Sequence, residues 1–399
     1  MERFKMKIVL GRVLCFLTCM LVVGILMVSC SDSSSEDDKV TRKTVFVYFP
    51  WTGNLTSFLK DNILYMEDAI EERGLSGERV VVFFATSSTK ADLFEIVCKN
   101  GECSRIPLQE YDKASLIEAS DITSVLNDVK RYAPALRYSM IVGCHGKGWI
   151  LAEDVEFVRT LSGQSEYWER EVPLTRFFGG TSYDSQTDVT ALARGIENAG
   201  IKMEYILFDV CYMSCIEVAY ELRHATDFLI ASSCEMMNRG VPYEMVGGYL
   251  LGETNYKAVC DGFYSFYSNF SYPYGTLAVT DCSQLDEMAG LMREINARYM
   301  FDSKQLSSLQ ALDGYLPAIF FDYGDYVRKL CKDETLLDAF EQQLNKTVIY
   351  KVNTERYYTD LSIPSTREIH TFSGLTVSDP SFHLDAAMKT ETSWYKATH

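Results

Sequence analysis

Short apolar runs alternate with stretches of helical periodicity, and this order constrains the fold more than any other feature of the chain. "TVFVYFP" (44–50), "RVVVFFAT" (79–86), "YSMIVG" (138–143), "MEYILFDVC" (203–211) and "FLIASS" (228–233) are dense in β-branched and aromatic residues. Between them the spacing predicts helices over 56–72, closed by Gly74, over 121–133, ahead of Pro134, and over 189–199, closed by Gly200. Strands apolar on both sides and separated by helices predict an α/β fold, a mostly parallel sheet with helices on both faces. Residues 91–111 read as a hairpin about Asn100-Gly101. After residue 260 a further strand (275–281) and helices over 284–299 and 323–346 predict a C-terminal α/β extension packed on a core of residues 44–259.

Such a sheet carries function beyond the carboxyl ends of its strands. Two of those ends bear reactive side chains. His145 follows one strand, flanked by Gly143, Gly146 and Gly148, which allow close approach of a ligand to the backbone. Cys211 follows another, in "YILFDVCYMSCIEVAYEL" (205–222). There Ser214 and Glu217 fit a capping box, which places Cys211 in the loop before a helix start. A helix start offers unpaired N–H groups and positive potential, and the loop would expose the thiol. Packing is the alternative role for a cysteine here. It is the expected one for Cys215, and for Cys144 beside the histidine. The chain has five histidines. His224 ends the following helix, His370 and His383 fall in a loop-rich tail, and His399 is the last residue, so His145 is the expected partner of a nucleophile.

The first thirty residues read as an address. Basic residues (Arg3, Lys5, Lys7, Arg12) precede an apolar run, the layout of a secretory signal. The run is also long enough to approach a membrane span. "LMVSC" resembles a bacterial lipobox, which makes residues 1–29 a leader and Cys30 the lipidated first mature residue. Residues 30–43, with "SDSSSEDDK", are acidic, serine-rich and of disordered composition. They resemble the export tag of outer-membrane lipoproteins of Bacteroidetes. The expected location is the cell envelope, lipid-anchored at the outer-membrane surface. A net charge of −17 argues against nucleic acid as a partner. Of twelve cysteines, Cys15 and Cys19 fall in the leader and Cys30 ends it. The rest form no C-x-x-C pair, so no structural zinc site is expected, and no cofactor either. Cys98 and Cys103 flank the hairpin turn, where a cross-strand disulfide would fit.

The order strand-His-Gly, then strand-Asp-x-Cys, resembles the caspase-like clan of cysteine peptidases, and more closely the clostripain family. The pieces that match are "SMIVGCHGKGW", "YILFDVCYMSCIEVAYEL" and "IASSCEMMNRGVPY", within a likeness spanning roughly residues 44–399. The resemblance implies a caspase-like fold and a peptidase acting on protein or peptide substrates. It implies His145 as catalytic histidine, acting mainly on the leaving group, and Cys211 as nucleophile. The N–H groups of Gly146 and Cys211 would form the oxyanion hole, and Asp209 would receive a basic P1 side chain. The chain departs from the family pattern at Val210, at Cys144 and at Arg239, which stands where arginine cutters carry a second acid. Two outcomes follow. Arg239 either reaches Asp209 and neutralises the pocket, or points to solvent and leaves a basic P1 preference, aided by Glu235. A surface-binding lipoprotein on a peptidase fold, its chemistry lost, is the rival class.

Overall fold

"KTVFVYF" is buried at every position and forms β1 (Lys43–Phe49) at the centre of a sheet. In the computed structural model, which describes residues 41–150, 186–361 and 364–399, α1 (Thr56–Arg73) leads to β2 (Glu78–Ala85) and the hairpin β3 (Ala91–Lys99) and β4 (Glu102–Tyr111). Then come α2 (Ala119–Tyr132), β5 (Arg137–Gly143), α3 (Val189–Asn198), β6 (Met203–Asp209), α4 (Ile216–Leu222) and β7 (Thr226–Ala231). The remainder runs through α5 (Tyr243–Leu250), α6 (Tyr256–Asn269), β8 (Thr276–Asp281), α7 (Leu285–Arg298), β9 (Phe321–Asp322), α8 (Tyr323–Leu330), α9 (Glu334–Thr347) and β10 (Val348–Asn353). The short strands β11 (Arg356–Thr359), β12 (Ser365–Glu368) and β13 (Thr376–Val377) precede the last helix, α10 (Ser393–Thr398).

The main sheet has nine strands in the order β10-β8-β7-β6-β5-β1-β2-β3-β4. Its centre, β7-β6-β5-β1-β2, is parallel, and antiparallel strands complete both sides. The order reverses between β1 and β5. Right-handed crossovers therefore place α1 on one face and α3 and α4 on the other. α1 packs on α5 and α5 on α6, whereas α2 packs on α3, and α4 and α7 pack on α10. The expected caspase-like α/β architecture is thus present.

Residues 260–399 add β8 and β10 to the same sheet, and residues 41–399 form one compact unit. The hairpin closes with Cys98 opposite Cys103, joined by a disulfide. The expected leader, Cys30 and the acidic stretch up to residue 40 lie outside the described residues. No helix among the described residues is long and apolar enough to cross a membrane.

Candidate active site

β5 and β6 are neighbours, and Gly143 pairs with Asp209 in register. His145 and Cys211 each lie two residues beyond that pair, so two parallel strands deliver them side by side. The loops touch at Gly146. A Cβ there would fall 2.1 Å from Val210 Cγ1 and 2.5 Å from the Cys211 carbonyl oxygen. Only glycine admits this approach. The same point lies 3.2 Å from the Cys211 nitrogen, so the backbones of Gly146 and Cys211 are adjacent.

His145 is buried, and its Nε2 lies 2.8 Å from Asn54 Oδ1. Asn54 sits in the loop after β1, the strand beside β5. Its amide oxygen accepts from Nε2 and fixes the ring plane. The Cys211 sulfur accepts the Met236 N–H at 3.2 Å. Cys211 itself is buried, contrary to the expected exposure, because its thiol packs against the chain beyond β7.

The local reason offered for its reactivity needs correcting. α4 begins at Ile216 with Cys215 as N-cap, and the Ser214–Glu217 capping box does not form. The Ser214 hydroxyl donates to the Gly374 carbonyl, and Glu217 accepts the Ser378 N–H at 2.7 Å. The N–H groups of Tyr212 and Ser214 donate to the carbonyls of Cys234 and Ser232. A helix dipole fades within one turn, so α4 begins too far along the chain to act strongly on Cys211. Cys215 and Cys144 are buried, in keeping with packing roles.

Tyr212 has φ 61°, the left-handed region, which costs a non-glycine residue roughly 1–2 kcal/mol. Its ring stacks on Phe320 at 5.1 Å and its hydroxyl donates to Glu235 at 2.7 Å. Those contacts hold the turn that follows the cysteine. Glu235 is buried and also accepts from Thr359 Oγ1 and the Asp360 N–H. It braces the Tyr212 turn.

Asp209 is fully buried. It accepts from the Val241 N–H at 3.0 Å, Asn62 Nδ2 at 3.1 Å and the Tyr243 hydroxyl at 3.2 Å. Arg239 follows neither expected course. Its guanidinium pairs with Glu244 at 2.6 Å, donates to Asn62 Oδ1 at 3.3 Å and lies 3.8 Å over the Tyr65 ring. Asn62 therefore stands between the cation and the acid. Asn54, Asn62, Tyr212 and Tyr243 went unread in the sequence. Asn62 left one signal, a buried polar residue within the apolar stripe Leu59, Ile63, Met66 of α1. Among the described residues no group of three acidic, histidine or cysteine side chains could hold a metal ion.

Fold and site together define a cysteine protease of the caspase-like type. The chain matches the model of the Clostripain family over residues 47–397 and belongs to that family. It is similar to a secreted C11 cysteine protease, "iotapain", from Bacteroides thetaiotaomicron, at 53% identity and TM-score 0.84, over 90% of this chain and 100% of that one. A clostripain from the same species, in complex with the peptide inhibitor BTN-VLTK-AOMK, shares 60% identity at TM-score 0.55, over 56% of this chain and 99% of that one. An inactive zymogen C11 protease from Parabacteroides distasonis, at 24% identity, TM-score 0.75 and coverage of 90% and 99%, shares the fold. No curated protein sequence matches the chain.

Proposed function

We propose that this cysteine protease cleaves peptide bonds after basic residues, with Cys211 as nucleophile and His145 as proton donor to the leaving amine. The register of β5 and β6, with Gly146 pressed against Cys211, carries this reading. The Cys211 thiol gives its proton to His145 Nδ1 as its sulfur attacks the carbonyl carbon, and the N–H groups of Gly146 and Cys211 receive the oxyanion. The C–N bond breaks as the departing nitrogen takes that same proton from His145 Nδ1, Nε2–H being held by Asn54. Water then hydrolyses the thioester. The Met236 N–H donates to the sulfur, a bond that strengthens when the sulfur is ionised.

Asp209 is the P1 acid. The charge of Arg239 is matched by Glu244, so the pocket keeps an acid for a Lys or Arg side chain. The inhibitor held by the related clostripain is written VLTK, ending in lysine. Glu235 acts on specificity only through the Tyr212 turn. Residues 1–29 are read as a leader, Cys30 as the lipid attachment site, and residues 30–43 as the tether to the outer surface of the envelope. An acyloxymethyl ketone peptide ending in lysine tests the nucleophile. It labels the parent and Cys215→Ala, but not Cys211→Ala. Labelling of Cys211→Ala would move the nucleophile elsewhere.

A further inference from the structure

Three large apolar side chains are exposed on the opposite side of the nucleophile from Asp209. Leu316, Phe382 and Leu384 are 62%, 66% and 72% exposed. Two short segments bring them together. The Tyr315 ring meets the His383 ring edge-on at 5.2 Å, and Ser381 Oγ donates to the Ala318 carbonyl at 2.7 Å. Leu316 follows Tyr315, and Phe382 and Leu384 flank His383, so the three lie on two touching segments, with Lys389 Nζ 5.8 Å over the Phe382 ring at their margin. Clustered large apolar side chains in water mark a binding surface more often than scattered single ones do.

The patch is continuous with both catalytic loops. The Tyr315 ring lies 6.2 Å from that of Tyr212, the residue after Cys211. Trp149, four residues past His145, donates its indole N–H to Ser378 at 2.8 Å, on the segment that leads to Phe382. Asp209 instead faces α1 and Tyr243, on the other side of the sheet. Side chains of an extended peptide alternate in direction. If P1 enters the Asp209 pocket, its neighbours on either side, P2 and P1′, point toward the opposite side, where the patch lies.

We infer that Leu316, Phe382 and Leu384 form an apolar substrate subsite, which receives a large apolar side chain adjacent in the peptide to the basic P1 residue. The inference rests on the proposed dyad and on Asp209 as the P1 acid. An open patch covers such a side chain on one side only, so the expected discrimination is about fivefold, below that of an enclosed pocket.

The test uses internally quenched peptides with P1 lysine, carrying Leu or Ser at P2 in one series and at P1′ in another. The parent should prefer Leu at one of the two positions by about fivefold or more in kcat/KM, and the series that shows it identifies the position. Phe382→Ser and Leu384→Ser should each reduce that preference while the P1 Lys/Ala ratio stays as in the parent. Phe382→Asp should go further and favour Arg over Leu at the same position, a gain that loss of folding cannot produce. Absence of a Leu preference at both positions, or its persistence in all three variants, would overturn the subsite. Loss of hydrolysis dependent on Cys211, or of the P1 lysine preference in the parent, would instead overturn the reading beneath it.

Discussion

Asn62 presents its amide nitrogen to Asp209 and its oxygen to Arg239, so one neutral side chain separates an acid from a cation that would otherwise meet. This arrangement gives a sharp expectation for specificity. Asp209→Asn should lower the P1 Lys/Ala ratio in kcat/KM by about a hundredfold, since truncating one member of a buried charge pair costs roughly 2–5 kcal/mol. Arg239→Gln should not lower it, because Glu244 already matches the guanidinium. A ratio that collapses in Arg239→Gln would show that the cation, not Asp209, sets the pocket. Asn54 is a positioning residue for His145. Asn54→Ala should reduce kcat by about tenfold to a hundredfold, the scale expected when a catalytic group loses its orientation, with KM nearly unchanged. The pH-rate profile should also shift, which a purely structural loop residue would not cause. The placement of His145 and Cys211 beyond two buried strands was legible because a strand end, glycines and a thiol are local signals. Asn54 and Asn62 were not, because each gains meaning only from a partner far along the chain.

At the level of elements, the parallel strands were readable because burial on both faces dictates their composition. α5 was not. "YEMVGGYL" carries two glycines that lower its helix propensity, yet a Cβ at Gly247 would come within 2.9 Å of Ala69 Cβ on α1, so close packing requires the glycine. The misread capping box has the same origin, since Ser214 and Glu217 bond to residues 374 and 378. Glu217 has a further consequence. Burial, and then the charge of Asp379, raise its carboxyl from 4.5 to about 8. Between those values the folded chain holds a proton that the unfolded chain has released, so stability falls as pH rises. Glu217→Gln removes that loss and keeps an acceptor for Ser378. Its stability relative to the parent should grow from pH 4.5 to 8, by up to about 1.4 kcal/mol per pH unit. Asp379, raised by burial to about 7, adds a slope of the same sign to both proteins, so the difference between them reports Glu217. Parallel melting curves for parent and variant across this range would refute the assignment.

Across the whole molecule, the C-terminal segment binds the His145 loop to the chain that follows Cys211. Ser378 receives the Trp149 indole N–H from the His145 loop and donates its own N–H to Glu217 on α4, while the Thr376 N–H donates to the Ser214 carbonyl. The site is therefore completed by residues more than 150 positions beyond Cys211, and the peptidase core depends on the C-terminal region for its geometry. The proposed anchor is tested at the same scale. Cys30→Ala should release the mature protein from membranes or leave an unprocessed precursor that is no longer lipid-labelled, because several acyl chains on one cysteine make the attachment stable. A parent protein that stays in the membrane fraction at full precursor mass and takes up no lipid label would mark the apolar run as a spanning helix.

The β4 edge bears on a different hazard. An open strand is a template on which another extended chain can polymerise. β4 is mostly exposed, but it carries Pro107, which has no N–H to offer, beside a register shift, and Glu102, Arg105 and Glu110 along its length. Arg105 is further drawn down to Glu67 on α1. A protein that must handle extended peptides all its working life thus presents, at this rim, an edge that seeds fibres poorly.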